Sequence, residues 1–252
     1  MVIAIDIPRL GSAQIMFLVD DDFEQVEYTA VRDGLQQAGH ETRLIALNKT
    51  RVQGWNHTER AETFLVDGLL QETDPKDFDA LVLPGGVINA DTLRVQHGAQ
   101  QAVQEWIQSG KVLGAICHAP WLLISAGVVQ GRTLTAYHTL RDDLHNAGAH
   151  YVDEPCVVDG ALITSREPKD IPQFVQAMVA HLQHRPEAQR SALMQSPLPR
   201  QSGAPSPSAG LPTAADFDAL VPVSSAEQHS PQAALPPQPS VPQPGSTPTS
   251  DQ

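Results

Sequence analysis

Lys111-Val-Leu-Gly-Ala-Ile-Cys117-His118-Ala119-Pro120 is the stretch that decides the fold. Its apolar run has the composition of a strand buried on both faces, and it stops abruptly at a cysteine, a histidine and a proline. Trp121-Leu-Leu-Ile-Ser-Ala then reads as the beginning of a helix. A thiol at a strand-to-helix turn lies at the carboxyl end of a sheet. It also sits near a helix N-terminus, whose partial positive charge favours a thiolate. The serine counterpart is the nucleophile elbow of the α/β-hydrolases, although their G-x-S-x-G spacing is absent.

Working outward, the same pattern repeats. Gln14-Ile-Met-Phe-Leu-Val-Asp20 reads as a first buried strand. A helix is predicted from Gln25 to Ala38, with Val26, Ala30, Val31, Leu35 and Ala38 on one face and Gly39 closing it. Thr42–Leu47 is a second strand, completing a right-handed βαβ unit. A short hairpin is expected around Arg51–Gln53 and Phe64–Val66. Asp79-Ala-Leu-Val-Leu-Pro84 is a further strand ended by Gly85-Gly86, and a helix follows over Gly98–Ser109. Beyond the cysteine, Thr133–Tyr137 reads as a strand and Leu140–Ala147 as a helix. Tyr151–Asp153 and Cys156–Thr164 read as a hairpin with an Asp159-Gly160 turn, and a last helix runs from Ile171 to Gln183. Alternating β and α elements predict a three-layer α/β/α sandwich with a mostly parallel sheet.

Composition bounds the rest. Of the 21 prolines in 252 residues, two-thirds lie at or after Pro186. Such a Pro/Ser/Gln-rich segment cannot bury enough apolar surface to offset its ordering entropy. The expected organisation is a loose leader over 1–13, an α/β domain over 14–184 and a disordered tail over 185–252, in which Ala214–Val221 is an apolar island. A net charge of −13 offers no general attraction to nucleic acid or anionic membranes. Two cysteines make no disulfide framework, and the ten histidines lack metal-ligand spacing. No metal or other cofactor is implied. The start of the chain lacks a basic n-region, and no apolar run approaches the ~20 residues of a membrane helix, so a cytoplasmic protein is expected.

Three strand ends carry groups fit for chemistry. The first runs into Asp20-Asp-Asp-Phe-Glu24-Gln-Val-Glu27; the second ends in Gly85-Gly86, whose N–H groups can approach an oxyanion closely; the third ends in Cys117-His118. Each has a plainer reading. A buried cysteine is often a small core hydrophobe, as mid-strand Cys156 is taken to be. Paired glycines are commonly a turn, and glutamates at a helix start commonly face solvent. From the residues alone, Cys117 is equally a core side chain or a nucleophile.

Taken together, Ala115-Ile-Cys117-His118-Ala-Pro120, Phe23-Glu24-Gln-Val-Glu27 and Leu81-Val-Leu-Pro-Gly85-Gly86 resemble the PfpI family of intracellular cysteine peptidases. That family lies within the parkinsonism-associated deglycase superfamily, with the class I glutamine amidotransferase-like, flavodoxin-like fold. The resemblance runs from about Gln14 to Leu182 and includes Gln53-Gly-Trp-Asn56-His57, Leu134–Tyr137, Leu140–Gly148 and Leu162–Arg166. It implies that Cys117 is the nucleophile in a strained backbone conformation. Glu27 matches a buried glutamate that meets the thiol, and a neutral carboxyl there can donate a hydrogen bond to a thiolate. His118 matches the general acid/base. The family's third partner is an acid shortly after the Gly-Gly turn, supplied by a neighbouring subunit, for which Asp91 is the nearest match. The N–H groups of Gly86 and His118 match an oxyanion hole, flanked by Gly85 and Tyr137. His138 stands where related sequences usually have proline and adds a second imidazole near the mouth.

Glutamine amidotransfer is disfavoured, because the only His-x-Glu triplet, His57-Thr-Glu59, lies upstream of the cysteine. Three readings follow. A stress-protection deglycase or glyoxalase acting on reactive carbonyls or glycated adducts comes first. An ATP-independent cysteine peptidase comes second, and a redox sensor or chaperone third. The resemblance also implies a homo-oligomer, a dimer or a hexamer.

Overall fold

The computed structural model describes residues 12–183. In chain order the strands and helices are β1 (Gln14–Val19), β2 (Phe23–Glu24), α1 (Gln25–Gln37), β3 (Glu41–Ala46), β4 (Arg51–Asn56), β5 (Glu59–Leu65) and β6 (Gly68–Leu69). There follow β7 (Ala80–Leu83), α2 (Val87–Arg94), α3 (His97–Ser109), β8 (Val112–Ile116) and α4 (Pro120–Ser125). The last are β9 (Thr133–Leu134), α5 (Arg141–Asn146), β10 (His150–Tyr151), β11 (Cys156–Asp159), β12 (Leu162–Ser165) and α6 (Ile171–Gln183).

The main sheet has seven strands in the order β11-β12-β8-β7-β1-β3-β6, parallel except where β11 runs against β12. Its central strands are the uninterrupted apolar runs. Every residue of β7 and β8 is buried, because helices cover both faces. Alternate residues feed two cores. Met16, Leu18, Leu81, Leu83 and Leu113 pack with Trp106 of α3 and Leu122 of α4. Ile15, Phe17, Val82 and Ile116 pack with Val31 of α1 and with Phe174 and Met178 of α6. Each large apolar side chain buried this way contributes about 1.5–3 kcal/mol. The approach of α6 to β8 is close enough to require glycine: a Cβ on Gly114 would lie 2.7 Å from Phe174 Cζ and 2.9 Å from Met178 Sδ.

From β1 the chain winds one way through β3 and β6 and the other way through β7 and β8. The carboxyl ends of β1, β7 and β8 therefore adjoin a reversal of winding, the place where open α/β sheets form sites.

Three local expectations are corrected. The segment Thr133–Tyr137 is a strand only over Thr133–Leu134, because its remainder is drawn beneath the cysteine turn: Thr135 N donates to Thr164 Oγ1 at 3.0 Å and Tyr137 N to the Cys117 carbonyl at 2.9 Å. Tyr151 pairs with β9 in a separate two-stranded sheet rather than with the Cys156 hairpin. The helix α2 was not foreseen, since its Val87 and Ile88 are half exposed and give no clear apolar face. The hairpin β4–β5 is present, longer than expected, with β2 added to it. Residues 1–11 of the leader, and the tail with its Ala214–Val221 island, lie outside the described residues.

Candidate active site

Cys117 stands at φ 62° in the turn between β8 and α4. A non-glycine residue enters that left-handed region at a cost of about 1–2 kcal/mol, and the surroundings enforce it. Cys117 N donates to the Ser165 carbonyl of β12 at 3.0 Å, and the Cys117 carbonyl accepts from Tyr137 N. The residue is 7% exposed. The backbone N–H groups of Gly86 and His118 both donate to its sulfur, which favours the thiolate. The helix that follows is only six residues long. Two aimed N–H groups, rather than a long helix dipole, therefore supply the local positive potential.

Gly86 reaches this position because β7 ends in a paired-glycine turn. Gly86 has φ 93°, and a Cβ on it would meet Asp22 O at 2.6 Å and Glu24 N at 2.7 Å. A Cβ on Gly85 would lie 2.7 Å from both Cys117 Cβ and Glu27 Oε2. Both positions thus need glycine so that β2, α1 and β8 can converge. Asn89, on the unforeseen helix α2, fastens the turn from behind: its Nδ2 donates to the carbonyls of Pro84 and Gly85, and its Oδ1 accepts from Asp20 N at 2.7 Å.

Glu27 is wholly buried on the first turn of α1, as the resemblance implies and unlike the usual glutamate at a helix start. Its Oε2 accepts from Gly85 N at 2.7 Å, and its carboxyl faces the Cys117 thiol. Burial, aided by the charge of nearby Glu24, raises its pKa to about 8 against the pull of the Gly85 N–H. Glu24 is also buried, with Oε2 accepting from His57 N at 3.1 Å. Burial pushes the Cys117 thiol well up, and an ionised Glu27 pushes it further. The pair therefore carries at most one negative charge near neutral pH. With Glu27 protonated, the repulsion disappears and the carboxyl can donate to sulfur.

His118 is 8% exposed, with Nδ1 3.2 Å from Cys117 Sγ and Nε2 3.4 Å from Thr139 Oγ1. Its ring stacks on Tyr137 at 4.7 Å between centroids and meets Trp121 edge-on at 5.4 Å. Burial, and then the neighbouring His138, lower its pKa to about 4, so the imidazole is neutral near pH 7. His138 also packs on Tyr137, with ring centroids 4.4 Å apart.

The structure thus gathers Cys117, His118, Glu27, Gly85, Gly86, Tyr137 and His138. It does not bring Asp91 to them within the chain. That residue is exposed on α2, and among the described residues no hydrogen bond joins it to His118. Sequence reasoning missed Asn89, Trp121 and Thr139. Asn89 had one available signal, a short amide side chain one turn after a Gly-Gly strand end. Among the described residues no group of three His, Cys, Asp or Glu side chains could hold a metal ion, and no helix is long and apolar enough to cross a membrane.

Comparison with known proteins agrees with this fold. The model of the DJ-1/PfpI family matches residues 13–181. The chain is 40% identical over 164 residues to protein/nucleic acid deglycase 2 of Escherichia coli, covering 65% of this chain and 94% of that protein. It is 36% identical over 166 residues to deglycase PfpI of Pyrococcus furiosus, covering 66% and 97%. Among solved structures, Drosophila melanogaster DJ-1beta superposes with a TM-score of 0.63 at 26% identity, covering 73% of this chain and 96% of that one.

Proposed function

Since the chain belongs to the DJ-1/PfpI family, we propose that it is a cysteine-nucleophile hydrolase that clears reactive carbonyls or their glycated adducts. The observation that carries this reading is the wholly buried Glu27 carboxyl, neutral up to about pH 8, set against Cys117. A thiol so placed can become a nucleophile without a preformed ion pair: neutral His118, with Nδ1 at 3.2 Å, takes the thiol proton as sulfur attacks.

Sulfur adds to the aldehyde carbon of a dicarbonyl such as methylglyoxal. The C=O electrons move to oxygen, which the Gly86 and His118 N–H groups can stabilise, and protonation gives a hemithioacetal. From a glycated amine or thiol, sulfur displaces the amine or thiol at the carbinol carbon, and the leaving group takes up a proton. Loss of the remaining proton on that carbon, with protonation of the adjacent carbonyl oxygen, gives an enediol; return of a proton to the neighbouring carbon, as the first hydroxyl loses its own, forms a thioester of lactate. Water cleaves it, releasing lactate and restoring the thiol.

Peptide cleavage stands second. It needs an imidazolium held oriented toward a departing amine and a groove for the peptide, whereas Asp91, the acid offered for holding that ring, lies exposed on α2 and, among the described residues, makes no hydrogen bond to His118 within the chain. Assembly into a dimer or hexamer, with Asp91 reaching a neighbour's His118, would be the way to supply one. The deciding experiment assays wild type and Cys117→Ala on methylglyoxal, a glycated thiol and a fluorogenic peptide. Lactate production by wild type and its loss in Cys117→Ala is the expected result. Undiminished activity in Cys117→Ala would end the nucleophile assignment. Peptide cleavage alone would favour the peptidase, and ready oxidation of Cys117 without turnover would favour the sensor.

A further inference from the structure

We propose that Thr139 is the same-chain partner of His118, a hydroxyl that holds its imidazole and links its Nε2 to solvent, where other Cys–His enzymes use a carboxylate or amide. This deepens the function proposed above, since it concerns the proton handling that carbonyl addition needs. The geometry is a short chain of contacts: Cys117 Sγ to His118 Nδ1 at 3.2 Å, then His118 Nε2 to Thr139 Oγ1 at 3.4 Å. The second contact is long, as catalytic hydrogen bonds often are before substrate arrives. Stacking on Tyr137 and the edge of Trp121 fix the ring plane, so both nitrogens keep these partners. Cys117 is buried while Thr139 is exposed, so the hydroxyl is where the chain of contacts meets water.

The chemistry of the partner matters. A carboxylate on Nε2 would stabilise imidazolium and, with it, a permanent thiolate. A hydroxyl both accepts and donates. It accepts from Nε2–H while Nδ1 waits as a base. After Nδ1 has taken the thiol proton, the Nε2 proton can leave through the hydroxyl to water, and the same hydroxyl then donates to the bared nitrogen. His118 thus returns to neutrality at each stage. The other charged or titratable groups around the ring are Cys117, with Glu27 beside it, and His138, which like His118 packs on Tyr137. Arg94 and Asp143 bind Trp121, at its ring face and its Nε1 respectively.

Three substitutions in the full-length chain test this: Thr139→Val, which removes only the hydroxyl function; Thr139→Ser, which restores it; and Thr139→Asp, which supplies the carboxylate. Turnover of methylglyoxal, alkylation of Cys117 by iodoacetamide and the NMR titration of the His118 ring are measured on each. The expected result is a fall in kcat of about five- to tenfold for Val with KM little changed, the scale of one lost hydrogen bond. Ser should come back to within about twofold of wild type. In Thr139→Asp the His118 titration should rise by about one unit or more, and alkylation of Cys117 near neutral pH should quicken. Wild-type kinetics in Thr139→Val, no rescue by Ser, or an unmoved His118 titration in Thr139→Asp would each overturn the assignment. The NMR and alkylation readings need no substrate. They judge Thr139 even if methylglyoxal is not turned over, an outcome that would instead count against the carbonyl reading.

Discussion

Cys117 leaves the centre of the sheet at the end of β8, whereas Cys156 opens β11 on its outer edge. Both thiols are pushed up by burial, Cys156 to about 11 with a further push from Asp170. Burial therefore does not distinguish the reactive cysteine; taken alone it makes both inert. The difference lies in what surrounds the sulfur. Cys156 sits in ordinary ladder pairing with Ser165, its backbone satisfied by the neighbouring strand. Cys117 is held at positive φ with two N–H donors on its sulfur and a neighbouring acid whose own burial keeps it uncharged. In the proposed mechanism reactivity comes from three strand ends converging on one atom, and no single element supplies it.

The largest effect that could break this contrast is on catalysis and labelling. Replacing Cys117 by Ala should reduce turnover at least ~10³-fold, while Cys156→Ala should leave it within about twofold. Mass-spectrometric mapping of iodoacetamide adducts near neutral pH should show Cys117 modified about 100 times faster. Equal labelling of the two would erase the distinction drawn above.

A smaller effect isolates the acid. Glu27→Leu should slow alkylation of Cys117 about tenfold, because the thiolate loses its carboxyl partner. Glu27→Gln, whose amide can still accept from Gly85 N and donate to sulfur, should slow it only about two- to threefold. If both substitutions left the thiol titration unmoved, the donors from Gly86 and His118 alone would suffice.

The smallest effect is on the pH dependence of stability. Glu27 is neutral in the fold up to about 8 but ionises near 4.5 when unfolded, so stability falls as pH rises between those values. His118 acts oppositely: it binds its proton near 4 in the fold and near 6.5 unfolded, so stability rises across that interval. The two slopes largely offset each other from about 4.5 to 6.5, leaving a decline from about 6.5 to 8 due to Glu27. Thermal melts of Glu27→Gln should lack that decline. Parallel curves for the two proteins would show that Glu27 is already charged near neutral pH.

Much of this was legible in the sequence where burial on both faces dictates composition. The strands β1, β7 and β8 could be nothing else, and the turn residues after each could be named as site candidates. The inward turn of Glu27 was not legible from helix periodicity, because residue type at a helix start defaults to solvent; only its motif context suggested burial. Thr135–Tyr137 has strand composition, yet hydrogen bonds from distant residues pull it out of a sheet, and no local pattern records them. Asn89 acts through three hydrogen bonds and Thr139 through one, on a short helix and a tight turn that periodicity does not resolve.

The bond from Cys117 N to the Ser165 carbonyl also has a bearing on how the protein is made. Ser165 follows Cys117 by 48 residues, and α6, which packs against Gly114 of β8, comes later still. At a synthesis rate of roughly 5–20 residues per second, about 2–10 s pass between the appearance of the cysteine and that of the carbonyl that helps hold its turn. During that interval the nascent chain carries Cys117 as an ordinary thiol. The geometry that would make it a nucleophile arrives only with the last strand and helix of the domain, so an unfinished chain cannot yet act on the metabolites around it.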